Sequence, residues 1–208
     1  MNSFEQGLTR YLDRGWLDFA RTVRIGVIGA GGLGSNALMH LVRSGFADLI
    51  VADPDLVEAS NLNRQCFFAH QIGQPKVLAL AENLWAVNPA VQIKTHVRRL
   101  DKDNLTDLFA PCRAVIEAVD EARTKKLVAE TLPAPNRLVV CASGLGGAGR
   151  AGYMQVRWLG PNLAVVGDMA TTCSTQAPPL SPGVGMAAAM QADVILHHFL
   201  NIYTGDLS

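Results

Sequence analysis

The sequence has no C-x-x-C pair. Its four cysteines, Cys66, Cys112, Cys141 and Cys173, stand singly, which argues against a structural zinc site and against a disulfide framework and leaves four reduced thiols. It also has no uninterrupted apolar run of membrane length. The most apolar stretch, 184–200, is broken by Gln191, Asp193, His197 and His198, so a buried or interface helix is expected there and not a membrane span. The first residues carry mixed charges without the apolar centre of a signal peptide, and a cytoplasmic location is expected. Charge excess is missing too: 18 Lys and Arg balance 18 Asp and Glu, so the field of the whole chain steers neither DNA nor an anionic membrane toward it. Finally, 208 residues leave little room for a nucleotide domain plus a separate substrate domain, and one domain over 1–208 is expected.

What is present is an α/β composition: 49% hydrophobic, 17% charged, with 19 glycines, suited to tight strand-to-helix turns. Residues 4–20 place Leu8, Tyr11, Leu12, Trp16 and Phe19 at helical spacing and predict one amphipathic leading helix carrying Arg10 and Arg14. A β-branched run at 23–28, a helical pattern at 33–44 and a second strand at 48–53 make a β-α-β unit. Helices are expected at 76–87, 102–109 and 121–132, and strands at 91–97, 114–119 and 137–142. Alternation of this kind predicts a Rossmann-like, doubly wound, mostly parallel sheet with helices on both faces. Two further strands, at 153–159 and 163–166, are expected to be antiparallel near the C-terminus. The polar, irregular span 54–75 is long enough to imply a functional loop.

The first strand ends in Gly29-Ala-Gly-Gly-Leu-Gly34. In that G-x-G-x-x-G pattern Gly29 suits the tight turn, Gly31 lets a phosphate approach the backbone, and Gly34 allows close helix-to-strand packing. The following helix offers free N–H groups and a positive dipole end to phosphate. Asp53, 24 residues after Gly29, is placed to accept from ribose hydroxyls. The purely structural alternative is a glycine turn that serves packing only. Arg64 in Ser60-Asn-Leu-Asn-Arg-Gln65, and Lys76 opening the next helix after Gly73-Gln-Pro75, bring two cations to the same sheet edge. Fixed cations there suit a triphosphate, because attack on an α-phosphate builds charge on departing pyrophosphate. Asp120, at the end of a later strand, is a natural Mg²⁺ ligand beside phosphates. The bland readings are a locally paired Arg64, a helix-start Lys76 and an N-capping Asp120.

Taken together, Gly-x-Gly-Gly-Leu-Gly-Ser35, Asp53-Pro-Asp-x-Val-x-x-Ser-Asn-Leu-x-Arg-Gln65 and Gly-Gln-Pro-Lys76 resemble the adenylation core of the ThiF, MoeB and ubiquitin-activating superfamily. In length the chain is similar to the short ThiF-type proteins of thiamine biosynthesis. The resemblance implies an ATP-dependent adenylyltransferase, with Gly29, Gly31, Gly32, Gly34, Asn61 and Gln65 around the nucleotide. It puts Asp53 on the ribose, Arg64 and Lys76 on the phosphates, and Asp120 on Mg²⁺. It implies a homodimer in which an N-terminal arginine, Arg10 or Arg14, reaches the partner's ATP, although neither sits in the family's usual motif. The implied acceptor is the C-terminal glycine carboxylate of a ubiquitin-like, ThiS-like sulfur carrier. Such a carboxylate is already ionised at neutral pH, which agrees with the lack of a Ser/His/Asp or Cys/His arrangement. Cys173 lies roughly where some relatives carry a cysteine that joins the carrier, and the zinc-binding pairs of many relatives are missing. The alternatives left open are a tRNA threonylcarbamoyladenosine dehydratase of the same superfamily, with tRNA as partner, a non-catalytic nucleotide-holding scaffold, and an NAD-dependent dehydrogenase.

Overall fold

The computed structural model describes residues 1–205. Strands β1 (Arg24–Ile28), β2 (Asp48–Ala52), β3 (Gln92–His96), β4 (Ala114–Glu117), β5 (Leu138–Ala142), β6 (Gln155–Gly160) and β7 (Leu163–Gly167) form one sheet in the order β3-β2-β1-β4-β5-β7-β6. Within each inner strand successive side chains enter opposite layers, as strand geometry requires. Ile25, Leu49, Ala114 and Leu138 join one apolar cluster with helices α2 (Arg14–Ala20), α3 (Gly32–Arg43), α4 (Lys76–Val87) and α7 (Ser181–Thr204). Ile28, Ile50, Val115 and Val139 join another with α5 (Leu105–Phe109) and α6 (Ala122–Thr131). The sheet is therefore buried on both faces, which is why its strands read as apolar runs and not as alternations.

Every neighbouring pair is parallel except β6–β7. The expected antiparallel pair exists, but only β6 runs against the rest, since β7 lies parallel to β5. The two residues between Gly160 and Leu163 can join only antiparallel neighbours.

The single leading helix expected over 4–20 is two helices, α1 (Ser3–Leu8) and α2. Asp13 restarts the helix by accepting from Trp16 N at 2.9 Å, and Trp16 is buried with its Nε1 donating to Ser44 O at 3.0 Å. The apolar spacing runs across the break and hides it; Asp13 as an N-cap is the signal that shows it. The helix expected at 102–109 is also shorter, starting at Leu105, because Asp101 gathers the N–H groups of Asp103 and Asn104 into a turn. The long apolar helix is α7, whose buried residues Val184, Ala187, Ala188, Gln191, Ile195 and Phe199 face α3 and the sheet. Among the described residues no helix is long and apolar enough to cross a membrane.

Helix α3 lies so close to the strand that feeds it that a Cβ on Gly34 would collide with the Gly29 carbonyl oxygen. Gly34→Ala is expected to destabilise the fold by ~1–3 kcal/mol, the usual cost of overpacking. Thermal unfolding checks this, and an unchanged melting temperature contradicts it.

Candidate active site

Strand order reverses at β1, which is flanked by β2 on one side and β4 on the other. In open parallel sheets a crevice opens at that point beyond the carboxyl ends of the strands, and here it is a cavity of ≈ 1380 Å³. Clefts enclosing one drug-sized ligand run to ~300–1,000 Å³, so this one has room for two reactants. The glycine turn forms its floor. Gly29 has φ +96, and a Cβ on it would come within 2.7 Å of the Ala118 carbonyl at the end of β4. Only glycine allows the two strand ends to approach so closely. Gly31 starts α3 without any side-chain cap, leaving the helix N–H groups to an anion.

Asp53 follows β2 and is 5% exposed. Its Oδ2 accepts from Ala30 N at 2.6 Å and its Oδ1 from Asp55 N at 2.8 Å. Burial pushes its pKa up, partly countered by those N–H groups and by Lys76. One carboxylate thus ties the glycine turn to the loop after β2 while facing the cavity.

That loop, expected to be irregular over 54–75, folds into two short 3₁₀ turns, Ala59–Asn61 and Ala69–Gln71. A bridge between Leu56 and Pro75 closes it and sets Lys76 at the start of α4. The Lys76 side chain is 8% exposed, with its Nζ 2.8 Å from Asp55 Oδ2. Arg64 is held by its own Nη1 donating to Ser60 O and Asn63 Oδ1 at 3.2 and 2.7 Å. Asn61 accepts from Glu58 N at 3.1 Å, shaping the turn that carries Arg64. Gln65 lines the cavity, and its Oε1 is buried without a partner among the described residues.

Asp120 is exposed on the cavity wall, and its carboxylate takes no hydrogen bond or ion pair from a described residue. The capping alternative is not what the structure has: α6 is preceded by Glu121, and no side chain caps it. Gly29, Gly31, Gly32, Asp53, Asn61, Arg64, Gln65, Lys76, Asp120 and Cys173 all line one cavity. Gly34 does not, since its place is packing. Arg10 and Arg14 lie on the turn before α2 and on its first residue, away from the cavity of their own chain.

Sequence reasoning passed over two groups, Glu117 with Lys125 and Asp168 with Arg150, while the candidate Cys173 lies beside them. Glu117 ends β4 fully buried and binds Lys125 Nζ through both oxygens, at 2.9 and 3.0 Å. Burial pushes Glu117 up, while Lys125 and the Val119 and Ala142 N–H groups pull it back. A carboxylate closing an otherwise apolar strand, eight residues before a lysine, was the readable signal. Cys173 is the exposed thiol of the four; partial burial raises its pKa against the opposing pull of Arg64 and Lys125. Asp168, at the end of β7, has a fully buried side chain paired with Arg150 Nε at 2.9 Å. Burial acts to raise its pKa, but hydrogen bonds from Thr171 N, Ala170 N, Thr171 Oγ1 and Arg150 hold it well below the carboxylate range.

A depressed folded-state pKa contributes stability that is complete above the unfolded-state value of ~3.9 and is lost as pH falls toward the folded one. Unfolding free energy is therefore expected to fall on acidification below about pH 4, and Asp168→Asn to flatten that limb. Denaturant titrations at several pH values check it; an unchanged acid slope in the variant contradicts it.

The fold and the cavity define a doubly wound, nucleotide-binding type of domain. The ThiF family model matches residues 9–207, and the chain belongs to the ThiF family. It is 29% identical over 192 residues to the adenylyltransferase and sulfurtransferase UBA4 of Saccharomyces cerevisiae, covering 89% of this chain and 44% of that protein. The chain thus spans a little under half the length of that curated relative. Among solved structures, the Escherichia coli tRNA N6-threonylcarbamoyladenosine dehydratase TcdA in complex with AMP superposes with a TM-score of 0.84 at 20% identity, covering 96% of this chain and 94% of that one. E. coli MccB with ATP gives 0.71 at 17% identity, over 91% of this chain and 58% of that one. At such identities these two similarities establish the fold.

Proposed function

We propose that the chain is an ATP-dependent adenylyltransferase that activates a carboxylate as its acyl-adenylate. The single observation that carries this reading is that Asp53, Arg64, Lys76 and Asp120 line one cavity beside the glycine turn. In the proposed reaction a carboxylate oxygen of the acceptor attacks the α-phosphorus of ATP. The bond to the bridging oxygen breaks, and pyrophosphate leaves with the electron pair. No proton moves, since the acceptor carboxylate is already ionised, so the task of the protein is positioning and charge stabilisation. Asp53 takes the ribose hydroxyls, the N–H groups at the start of α3 receive phosphate oxygens, and Arg64 and Lys76 meet the charge growing on pyrophosphate. Gln65, with its unpartnered buried oxygen, is a further contact for the nucleotide.

A Mg²⁺ ion fits the donors present. Among the described residues no three potential ligands cluster, but Mg²⁺ beside phosphates needs only one or two carboxylates, the rest being phosphate oxygens and water. Asp120, without a partner among the described residues, would supply one. The ion would neutralise charge on the leaving pyrophosphate.

The acceptor we propose is the C-terminal glycine carboxylate of a ubiquitin-like sulfur carrier, as in the ThiS-type step of thiazole formation. The curated relative's description as an adenylyltransferase and sulfurtransferase supports a sulfur-carrier acceptor more generally than it supports thiazole formation. In a homodimer Arg10 or Arg14 would reach the partner's cavity. A second reading, adenylation of a carboxylate on a modified tRNA adenosine, is favoured by the fold, which superposes on the E. coli dehydratase with a TM-score of 0.84. The balanced charge of the chain disfavours it. Isotope exchange between pyrophosphate and ATP separates the two. Exchange that depends on a carrier ending in Gly-Gly supports the first reading, exchange that depends on tRNA supports the second, and no exchange with either overturns adenylation.

A further inference from the structure

On the β5–β7 side of the cavity two loops are locked together. Residues 143–147 follow β5, residues 168–173 follow β7, and Ser143, Gly144, Leu145, Thr171, Thr172 and Cys173 all line the cavity. The lock is Asp168. Its Oδ1 accepts from Ala170 N at 2.9 Å and Thr171 N at 2.8 Å, and its Oδ2 accepts from Thr171 Oγ1 at 2.8 Å and Arg150 Nε at 2.9 Å. Thr171 Oγ1 in turn accepts from Gly146 N at 3.2 Å, and the Asp168 and Met169 N–H groups donate to Gly144 O and Ser143 O. Met169 sits at φ 60, the one positive-φ residue other than glycine among the described residues. A residue of that kind held left-handed is kept there by its surroundings. Arg150 is itself fixed from behind by its guanidinium lying 4.4 Å from the centre of the Tyr153 ring.

Thr172 and Cys173 are the consequence. Ala170 and Thr171 donate their N–H groups to Asp168, and Ser174 donates to Ala177 O, whereas the N–H groups of Thr172 and Cys173 donate to no described residue. Thr172 and Cys173 line the same cavity as Arg64 and the glycine turn, so this segment faces the proposed phosphate site.

Resting on the adenylation reading, we propose that Arg150 and Asp168 are positioning residues: their ion pair holds the Thr172 and Cys173 N–H groups where the main chain of an extended acceptor tail accepts from them, aligning its terminal carboxylate with the α-phosphate. The acceptor class this fits is a polypeptide C-terminus with small last residues, because recognition through backbone N–H groups needs no side chain on the tail. Neither residue contacts the reacting atoms.

The test uses the full chain, unaltered and as Arg150→Ala and Arg150→Lys. Hydrogen exchange of the Ala170 and Thr171 amides, which donate to Asp168, is expected to be about ten-fold faster in Arg150→Ala and close to the unaltered rate in Arg150→Lys. With a carrier protein ending in Gly-Gly as the probe, the carrier KM for pyrophosphate exchange rises about ten-fold in Arg150→Ala, while kcat and the ATP KM stay within about two-fold. Unchanged amide rates overturn the clasp. A fall in kcat or a rise in the ATP KM equal to the rise in carrier KM overturns the positioning role. Absence of exchange in the unaltered protein overturns the adenylation reading and the acceptor role with it, while the amide rates still decide whether Arg150 holds the segment.

Discussion

Asp120→Asn is expected to lower pyrophosphate exchange ~10²–10³-fold, the loss typical when one group that stabilises transition-state charge is removed, with no change in melting temperature. The two halves of that expectation come from the same fact. The Asp120 carboxylate has no partner among the described residues, so its removal leaves no buried group unpaired there and α6 loses no cap. A carboxylate that contributes nothing to the fold and shares its cavity with the glycine turn, Arg64 and Lys76 is available to a cation. The amide keeps the shape and removes the charge, and raising Mg²⁺ concentration should recover part of the loss. A drop of several degrees in melting temperature, with activity following the folded fraction, would mean that Asp120 is structural.

Lys76→Met is expected to reduce exchange by a similar ~10²–10³-fold, mainly in kcat. The Lys76 side chain is nearly buried at the start of α4, and its partner Asp55 is 62% exposed. Methionine fills the stem's volume, and the released Asp55 carboxylate is solvated, so the stability cost should stay within ~1 kcal/mol. Because charge on pyrophosphate grows only as the bond breaks, the ammonium is worth more in the transition state than in the ATP complex. Exchange kinetics with ATP binding measured alongside separates the two. Loss of ATP affinity with kcat intact would show that Lys76 serves binding alone.

The sheet was legible because both its faces are covered: strands such as Val139-Val-Cys141 appear as short apolar runs, and the alternation of strand and helix leaves few topologies open. The crevice edge was legible because Gly29 and Asp53 are tied to backbone geometry, one by a close approach and the other by the Ala30 and Asp55 N–H groups. Local spacing carries such constraints. The Glu117–Lys125 pair left only one mark, a carboxylate closing an apolar strand, and the Asp168–Arg150 pair left none, since each depends on elements that only the fold brings together. Arg150 stands in a glycine-rich stretch without periodicity, and its partner is 18 residues away across a hairpin. The split of the leading helix was missed for the opposite reason. A strong apolar period masked a local cap at Asp13 that competes with it and wins.

The central claim is acyl-adenylate formation in this cavity. Mass spectrometry of a carrier ending in Gly-Gly, incubated with the protein, ATP and Mg²⁺ and quenched within one turnover, tests it most directly. The account predicts a carrier species heavier by one adenylyl group (AMP less water), formed with one pyrophosphate released and missing with Asp120→Asn. An unmodified carrier with no pyrophosphate released, together with tight binding of NAD in place of ATP, would contradict it.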